Sequence, residues 1–466
     1  MAVMIGLEIH VQLNTKSKLF CSDSSDLRGK KQNANTCPVC LGFPGSKPVL
    51  NKRAVDLGMM IALALNGEIS KHCFFSRKTY FYPDMSKNFQ ITQYEEPLAL
   101  GGYLAINGSK IRIRRVHIEE DPARLIHMGG DITTAKYVLI DYNRSGIPLA
   151  EIVTEPDFES PKQARLFLDK LLSILEHLGA FDSEKEASIR VDANISFDGG
   201  ERVEVKNITG FENVEKALNF EIIRQKGLAR MQVKVERETR HFDADKGNTV
   251  GLRKKEYEED YGYIFDPDLP VISVSDSWLS QIKKNMPELP DQRTSRFVSQ
   301  YKIPEYTASV IVYTDKHLAD FFEECCKLHN KPDKVANWIV NYLLKSLNWR
   351  SERIRDSKVR VGTFVELLKL MDSNEITERY AKELIKAYVD TGTDPRELAK
   401  QEKLLISESA LKKAVERAIK ENGSAVADFK AGKEEAMQFL IGKVLVLTKK
   451  QADPNLIRKV LLSSLE

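Results

Sequence analysis

Residues 4–21 read MIGLEIHVQLNTKSKLFC. Successive side chains of a strand point to opposite faces, so Glu8, His10 and Gln12 share one face while Leu7, Ile9, Val11 and Leu13 share the other. One face can enter a core; the other offers a carboxylate, an imidazole and an amide. The pattern recurs in ASIRVDANIS (187–196), where Ser188, Arg190, Asp192 and Asn194 face away from Ile189, Val191, Ala193 and Ile195. It recurs again in ERVEVKNI (201–208), with Glu204 and Lys206 on one face, and in VERETRHF (235–242), with Glu236, Glu238 and Arg240. A polar face carrying carboxylates, His, Arg, Lys and Asn is better equipped than a plain solvated face. In LAEIVTEPD (149–157) Glu151 falls with Leu149 and Val153, so if buried it must be paired or bound to a cation.

Working outward, the segment up to about residue 275 alternates strands with turn signals. Asp198-Gly199-Gly200 separates two alternating runs as a hairpin turn does, and Asn143-Arg144-Ser145-Gly146 marks a similar turn. Two helices are interspersed. One ends at Gly67; the other has Ser160 as N-cap, Pro161 at its first position and Gly179 at its end. Beyond 275 the spacing is helical. Ile376, Tyr380, Leu384 and Tyr388 form one stripe that stops at Gly392, and Asp394-Pro395, Ser407 and Asp453-Pro454 each open a further helix. The expected fold is α+β: a mainly antiparallel-sheet domain over 1–275, a helical domain over 276–402 and a small helical tail domain over 403–466.

The chain has 466 residues, 42% hydrophobic and 29% charged, with 70 Lys and Arg against 67 Asp and Glu. A net charge of +3 does not announce nucleic-acid binding, so any such contact must come from a local patch. The tail from 403 carries twelve Lys and Arg against eight Asp and Glu, a modest basic excess that fits either a solvated helical surface or an RNA-contacting appendage. No apolar run reaches a membrane span and the start lacks a signal peptide, which implies a cytoplasmic protein. In that compartment CPVC (37–40) reads as a metal knuckle rather than a disulfide. Cys21 is a third ligand candidate with Cys37 and Cys40; Asp23, His72 and Cys73 are candidates for the fourth. Adjacent Cys325 and Cys326 read as helix residues with at least one packed inside.

Hard carboxylates with room for water are what Mg²⁺ uses when it also holds phosphates. The acidic faces therefore point to a magnesium and phosphate site. Neither GxxxxGK[ST], GxGxxG nor a kinase signature set is present, so a nucleotide would be held by a different architecture. SRKTYFYPDMSKNFQITQ (76–93) mixes aromatics with Arg77, Lys78, Asp84 and Lys87, which suits a lined passage or a loop with anchoring aromatics.

The blocks GLEIHVQLNTKSKLFC, CPVCLGFPGSKPVLN, RKTYFYPDMSKNFQITQ, HIEEDPARLIH, DYNRSGIPLAEIVTEPD and RVDANIS, in that order, resemble the B subunits of the aspartyl/glutamyl-tRNA amidotransferases. The C-terminal stretch from GKEEAMQFLIGKVL onward resembles their tail domain, so the likeness spans nearly the whole chain. The lack of a long insertion between catalytic and helical parts is similar to the B subunit rather than to its larger archaeal relative. The resemblance implies a catalytic cradle domain and a two-step reaction on mischarged tRNA(Asn) or tRNA(Gln): ATP phosphorylates the side-chain carboxylate of the esterified aspartate or glutamate, and ammonia displaces the phosphate. It implies three partners: a glutaminase subunit that supplies the ammonia, a small third subunit, and tRNA. It assigns Glu8, His10 and Glu120 to Mg²⁺ and phosphoryl transfer, and Lys78, Tyr80 and Lys87 to the ammonia route. Glu151, Arg190, Asp192 and Lys206 are further candidates around the nucleotide and acyl group. Where relatives with a zinc knuckle show Cys-x-Cys, this chain has Asp23 in place of the second cysteine, which leaves either a Cys₃Asp zinc site or a weakened or lost one. Gly262, in DYGYIFDPDLP (260–270), stands where many members have arginine. Two other readings remain: a non-catalytic tRNA-binding scaffold, and a free-standing ATP-dependent carboxylate–amine ligase.

Overall fold

The computed structural model describes residues 3–130, 135–182, 188–254, 262–401, 408–448, 452 and 454–465. It divides into two compact units, Met1–Leu289 and Pro290–Glu466. The first unit is built on a 10-stranded sheet. Its long strands are β1 (Val3–Gln12), β2 (Ser109–Glu120), β3 (Pro148–Thr154), β4 (Ile189–Phe197), β5 (Val203–Ile208), β6 (Glu238–Asp243) and β7 (Asn248–Lys254). They lie in the order β7-β6-β5-β4-β1-β3-β2, with three short strands beyond on the β2 side. Every long-strand pairing is antiparallel except β5 with β6. The fold is therefore α+β with a mainly antiparallel sheet, as the alternation implies.

The apolar face of the sheet is covered by α1 (Lys52–Ala64), α2 (Pro161–His177) and α3 (Phe211–Arg230). Ile5, Leu7, Ile9 and Val11 of β1 join Leu57, Ile61, Phe167 and Leu171 in one core. Burial of such side chains contributes about 1.5–3 kcal/mol each, so the β1 register is held firmly: a one-residue slip would expose all of them. The helix signals act locally. Ser160 accepts from the Gln163 N–H ahead of Pro161, and Gly179 follows α2 at φ +63°. After α1 the left-handed turn falls on Asn66, φ +59°, one residue before Gly67.

Two local readings are corrected. Asp198 and Gly199, both at positive φ, do close the β4–β5 hairpin, but residues 143–146 do not make a second one. Tyr142–Arg144 is instead a 3₁₀ turn, and the strand before it, Tyr137–Asp141, pairs with Arg124–Met128 rather than with β3. Likewise Glu238 and Arg240 stand opposite Val203 and Val205 in the β5–β6 pair. They therefore lie on the helix-covered face, where Arg240 and Arg224 enclose the fully buried Glu221 of α3.

Helix Asp276–Lys284, past the change of pattern at 275, packs on α1: Trp278 Nε1 donates to Asp56 at 2.8 Å and Ile282 enters the sheet unit's core. In the second unit, one cluster runs from Phe297 to Ala399 and a smaller one from Leu411 to Leu461. Leu384 and Tyr388 are buried on helix Glu378–Thr391, which Gly392 terminates at φ +74°. Cys325 is buried on helix Lys316–Leu328 and Cys326 is half-buried. Ser407 and Asp453 lie outside the described residues.

Candidate functional site

The open face of the sheet assembles its polar residues by cross-strand register. His10 stands opposite Arg190 on one side and Glu151 on the other, and Glu151 stands opposite His117. Residues directly opposite share a face, so Arg190, His10, Glu151 and His117 form one row across four strands. Glu119, two residues beyond His117, points the same way. His10 Nε2 lies 3.6 Å from Glu151 and 3.7 Å from Glu119, and His117 Nε2 lies 2.9 Å from Glu151. A second row starts at Glu8, opposite Asp192. Asn194 Nδ2 donates to Glu8 at 2.9 Å, and Lys206 Nζ lies 3.9 Å from Asp192 and 3.8 Å from Glu204.

Each row brings three ligand atoms within 4.8 Å of one another: His10, Glu119 and Glu151 in the first, Glu8, Asp192 and Glu204 in the second. Crowded acids in a buried place perturb one another. Burial pushes the Glu8 carboxyl up, and the negative charges of Glu151, Glu204 and Asp192 push it further, against the pull of Lys206. Burial and Glu151 raise Glu119 in the same way, opposed by both imidazoles and Lys78. Burial acts on Glu151 too, but the adjacent His117 and His10 overcome it and hold that carboxyl well below the usual range. For His10, burial favours the neutral ring, yet contact with Glu151 and the charges of Glu151, Glu119 and Asp192 raise it to about 9. Without a cation this face is short of positive charge, and oxygen-rich ligand sets of this kind suit Mg²⁺.

The expected trio of Glu8, His10 and Glu120 is not what the fold brings together. Glu120 is adjacent to Glu119 on β2 and so turns away from the row. It accepts from Lys87 Nζ at 2.6 Å and from the Ile91 N–H at 2.9 Å, forming a buried ion pair. Glu119 takes the place beside His10. Glu204 was read as part of the polar face but not as a site residue, and His117 escaped the sequence reading, although its i, i+2 spacing with Glu119 was available as a signal. Arg190 does not reach an open site: Asp121 accepts from its Nη2 at 2.7 Å and from Gln12 Nε2 at 3.0 Å. Asp192 accepts from the Asn207 N–H at 2.7 Å.

A cavity opens at each end of the polar side of β1. One, of about 370 Å³, is lined by Gln12, Arg28, Lys30, Arg124, Asn143 and Arg144. The other, of about 220 Å³, reaches Glu8, Arg114, Thr154, Asn194 and Arg202. Lys78 and Tyr80, 5.8 Å apart from ammonium to ring centre, lie in and just after the strand Ser76–Thr79, which pairs with Phe89–Thr92 and Gly262–Phe265. Gly262 stands opposite Thr79, and a Cβ there would meet only the Thr79 Cβ, at 3.7 Å. Asp260 and Tyr261 lie outside the described residues.

Away from the sheet face, Cys21, Asp23, Cys37 and Cys40 gather their ligand atoms within 4.8 Å. CPVC folds as one helical turn, Pro38–Leu41, capped by Gly42 at φ +69°. The fourth position falls to Asp23; Cys73, which is buried, and His72, which is exposed, lie instead on the short strand that pairs with Ile272–Ser273. Three thiols and a carboxylate fit a tetrahedral, thiophilic divalent cation such as Zn²⁺.

Comparison with known proteins bears on the family of the chain. Residues 3–280 match the family model of the GatB/GatE catalytic domain, and residues 320–465 match that of the GatB domain. The B subunit of the aspartyl/glutamyl-tRNA(Asn/Gln) amidotransferase of Saccharolobus solfataricus is 47% identical, covering 98% of each chain. Those of Methanospirillum hungatei and Thermotoga neapolitana are 46% and 44% identical, over 98% and 99% of this chain and 97% and 98% of their own lengths. Among the described residues no helix is long and apolar enough to cross a membrane. With both of its units matched and 98% of its length aligned, the chain belongs to the family of B subunits of the aspartyl/glutamyl-tRNA(Asn/Gln) amidotransferases, a ligase complex that acts on tRNA.

Proposed function

We propose that the open face of the sheet activates the side-chain carboxylate of aspartate or glutamate esterified to tRNA(Asn) or tRNA(Gln). A carboxylate oxygen attacks the γ-phosphorus of ATP, ADP departs, and the acyl phosphate is then attacked by ammonia with loss of phosphate. The double row of carboxylates beside His10 carries this reading, because phosphoryl transfer between anions is mainly a problem of positioning and charge. His10, Glu119 and Glu151, and separately Glu8, Asp192 and Glu204, are the residues that would hold Mg²⁺. Such ions supply Lewis acidity and screen the charges of ATP, carboxylate and acyl phosphate.

The chain's own residues do the rest. Lys206 sets a positive charge beside Asp192 and Glu204. The cavity at the Glu8 end of β1 reaches the second row of acids, and the one at the Gln12 end, lined by Arg28, Lys30, Arg124 and Arg144, offers a separate, basic place for an anionic substrate. Ammonia comes from a glutaminase subunit of the same cytoplasmic complex, which also has a small third subunit. It passes Lys78, Tyr80 and the buried Lys87–Glu120 pair as a neutral molecule. The cysteine cluster holds a structural zinc, and the tail from 403 contacts tRNA.

The test is amide formation on radiolabelled aspartyl-tRNA(Asn) and glutamyl-tRNA(Gln), with Mg·ATP and either glutamine or ammonium, in the complex reconstituted with its partners. Wild type should form product, and Glu151→Gln should lower the rate at least 100-fold while tRNA binding is kept. Full activity in that variant removes the acid row from the chemistry. Turnover without tRNA would instead favour a free-standing ligase.

A further inference from the structure

Lys18 is 0% exposed, the largest buried cation of the sheet unit without a carboxylate partner among the described residues. Its Nζ donates to the Asn35 carbonyl at 2.9 Å and lies 3.7 Å from Cys40 Sγ. Gly146, at φ +86°, closes over the pair: a Cβ there would stand 3.5 Å from both Cys40 Cβ and Lys18 Cδ. An ammonium removed from water costs several kcal/mol unless an anion faces it. A carbonyl and a neutral thiol do not supply one.

The same sulfur receives a second donor, the Cys37 N–H at 3.0 Å. These two donors converge on a sulfur that also lies 3.5 Å from Asp23 Oδ2 and 3.4 Å from the Cys37 carbonyl, so the pocket gathers ligand atoms around one point with an ammonium behind them. Three thiolates and the Asp23 carboxylate around a divalent cation make a complex of formal charge −2, which one ammonium halves. We infer that Lys18 is the built-in counter-charge of a Cys21–Asp23–Cys37–Cys40 metal site, acting on the metal through Cys40. The inference rests on reading that cluster as a zinc site.

The experiment uses the full-length chain with Zn²⁺ and Co²⁺ as probes. Wild type should bind one Zn²⁺ per chain. Lys18→Met, which keeps the stem and removes the charge, should lower Zn²⁺ affinity at least tenfold in chelator competition and shift the thiolate-to-Co²⁺ charge-transfer band. A second readout needs no variant. In wild type, acetylation of Lys18 by an amine-reactive reagent, followed by mass spectrometry, should be slow with zinc bound and at least tenfold faster after chelation. Unchanged affinity in Lys18→Met with normal wild-type binding overturns the role of Lys18 alone. Equal labelling with and without zinc overturns it as well, because the ammonium is then held without the metal. A wild type that binds no zinc overturns both this inference and the zinc site beneath it.

Discussion

The Lys87–Glu120 pair offers the sharpest energetic test. Both side chains are nearly out of solvent, at 9% and 5% exposure, and Glu120 holds the Ile91 N–H as well as the ammonium. Lys87→Met removes the cation and leaves a buried carboxylate with that single N–H donor. Breaking a buried pair from one side costs about 3–5 kcal/mol, mostly through the charge left behind. Glu120→Gln is milder, because the amide oxygen still accepts from the Ile91 N–H and the ammonium it strands sits on a long stem that can turn toward water; about 1–3 kcal/mol is expected. In the double variant no charge is stranded, so its cost falls below the sum of the singles by at least ~2 kcal/mol. At roughly 2 °C per kcal/mol for a unit of this size, Lys87→Met should lower the melting transition of the sheet unit by about 6–10 °C. Calorimetry of the three variants reads both the ordering and the coupling. A Lys87→Met shift under 2 °C, or costs that simply add, would refute the buried pair. Amide formation provides a second axis: Lys87→Met should depress the glutamine-dependent reaction more than the ammonium-dependent one.

Glu119→Gln should raise the Mg²⁺ concentration required for half-maximal amidation at least tenfold, while Glu120→Gln leaves that requirement within twofold; the reverse order in a Mg²⁺ titration contradicts the cluster assignment. Deleting residues 403–466 should weaken tRNA binding and flatten its dependence on salt, as loss of phosphate contacts does, and an unchanged slope in filter binding would assign the tail another task. In the helical unit, burial pushes the Glu323 carboxyl up but Arg296 and Arg293 pull it further down, to a net depression. A depressed carboxyl contributes stability that is present above its unfolded value, near 4.5, and lost as pH falls through its folded value. Glu323→Gln should therefore destabilise this unit by about 1–2 kcal/mol at pH 7 and by less at pH 3, measured by urea unfolding at each pH. Gly392→Ala places a Cβ at φ +74° and 2.9 Å from Lys358 Cβ, and should cost about 1–2 kcal/mol by the same measurement.

Much of the fold was legible because its signals are local. A period of two in GLEIHVQL gives a strand with one buried face, and Ser160-Pro161 gives a helix start, whatever the rest of the chain does. The misreadings come from partners far away in sequence. Residues 143–146 have the composition of a hairpin turn, yet the preceding strand pairs backward with Arg124–Met128. Glu238 and Arg240 alternate like the acidic faces of β1 and β4. The parallel β5–β6 pairing nevertheless sets them on the helix side, where Glu221 of α3 gives Arg240 its counter-charge. Composition shows that such residues share a face; only strand register says which face.

The candidate site repeats this lesson at one residue's resolution. In HIEED two glutamates are adjacent, so alternation guarantees that they face opposite ways but does not say which one faces the chemistry. The answer lies thirty residues on, where Glu151 of β3 comes opposite His117 and thereby fixes the polar face of β2. Glu119 then joins His10, and Glu120 is left to Lys87. The pair of neighbours thus divides between two tasks that one carboxylate could not perform together. A group sharing its charge with a cation and phosphates needs company of its own sign, which burial and Glu151 raise against it. A group that pairs with a lysine out of solvent needs none. Setting the two back to back on one strand keeps the acid row and the lysine pair a single residue apart while the backbone separates their fields.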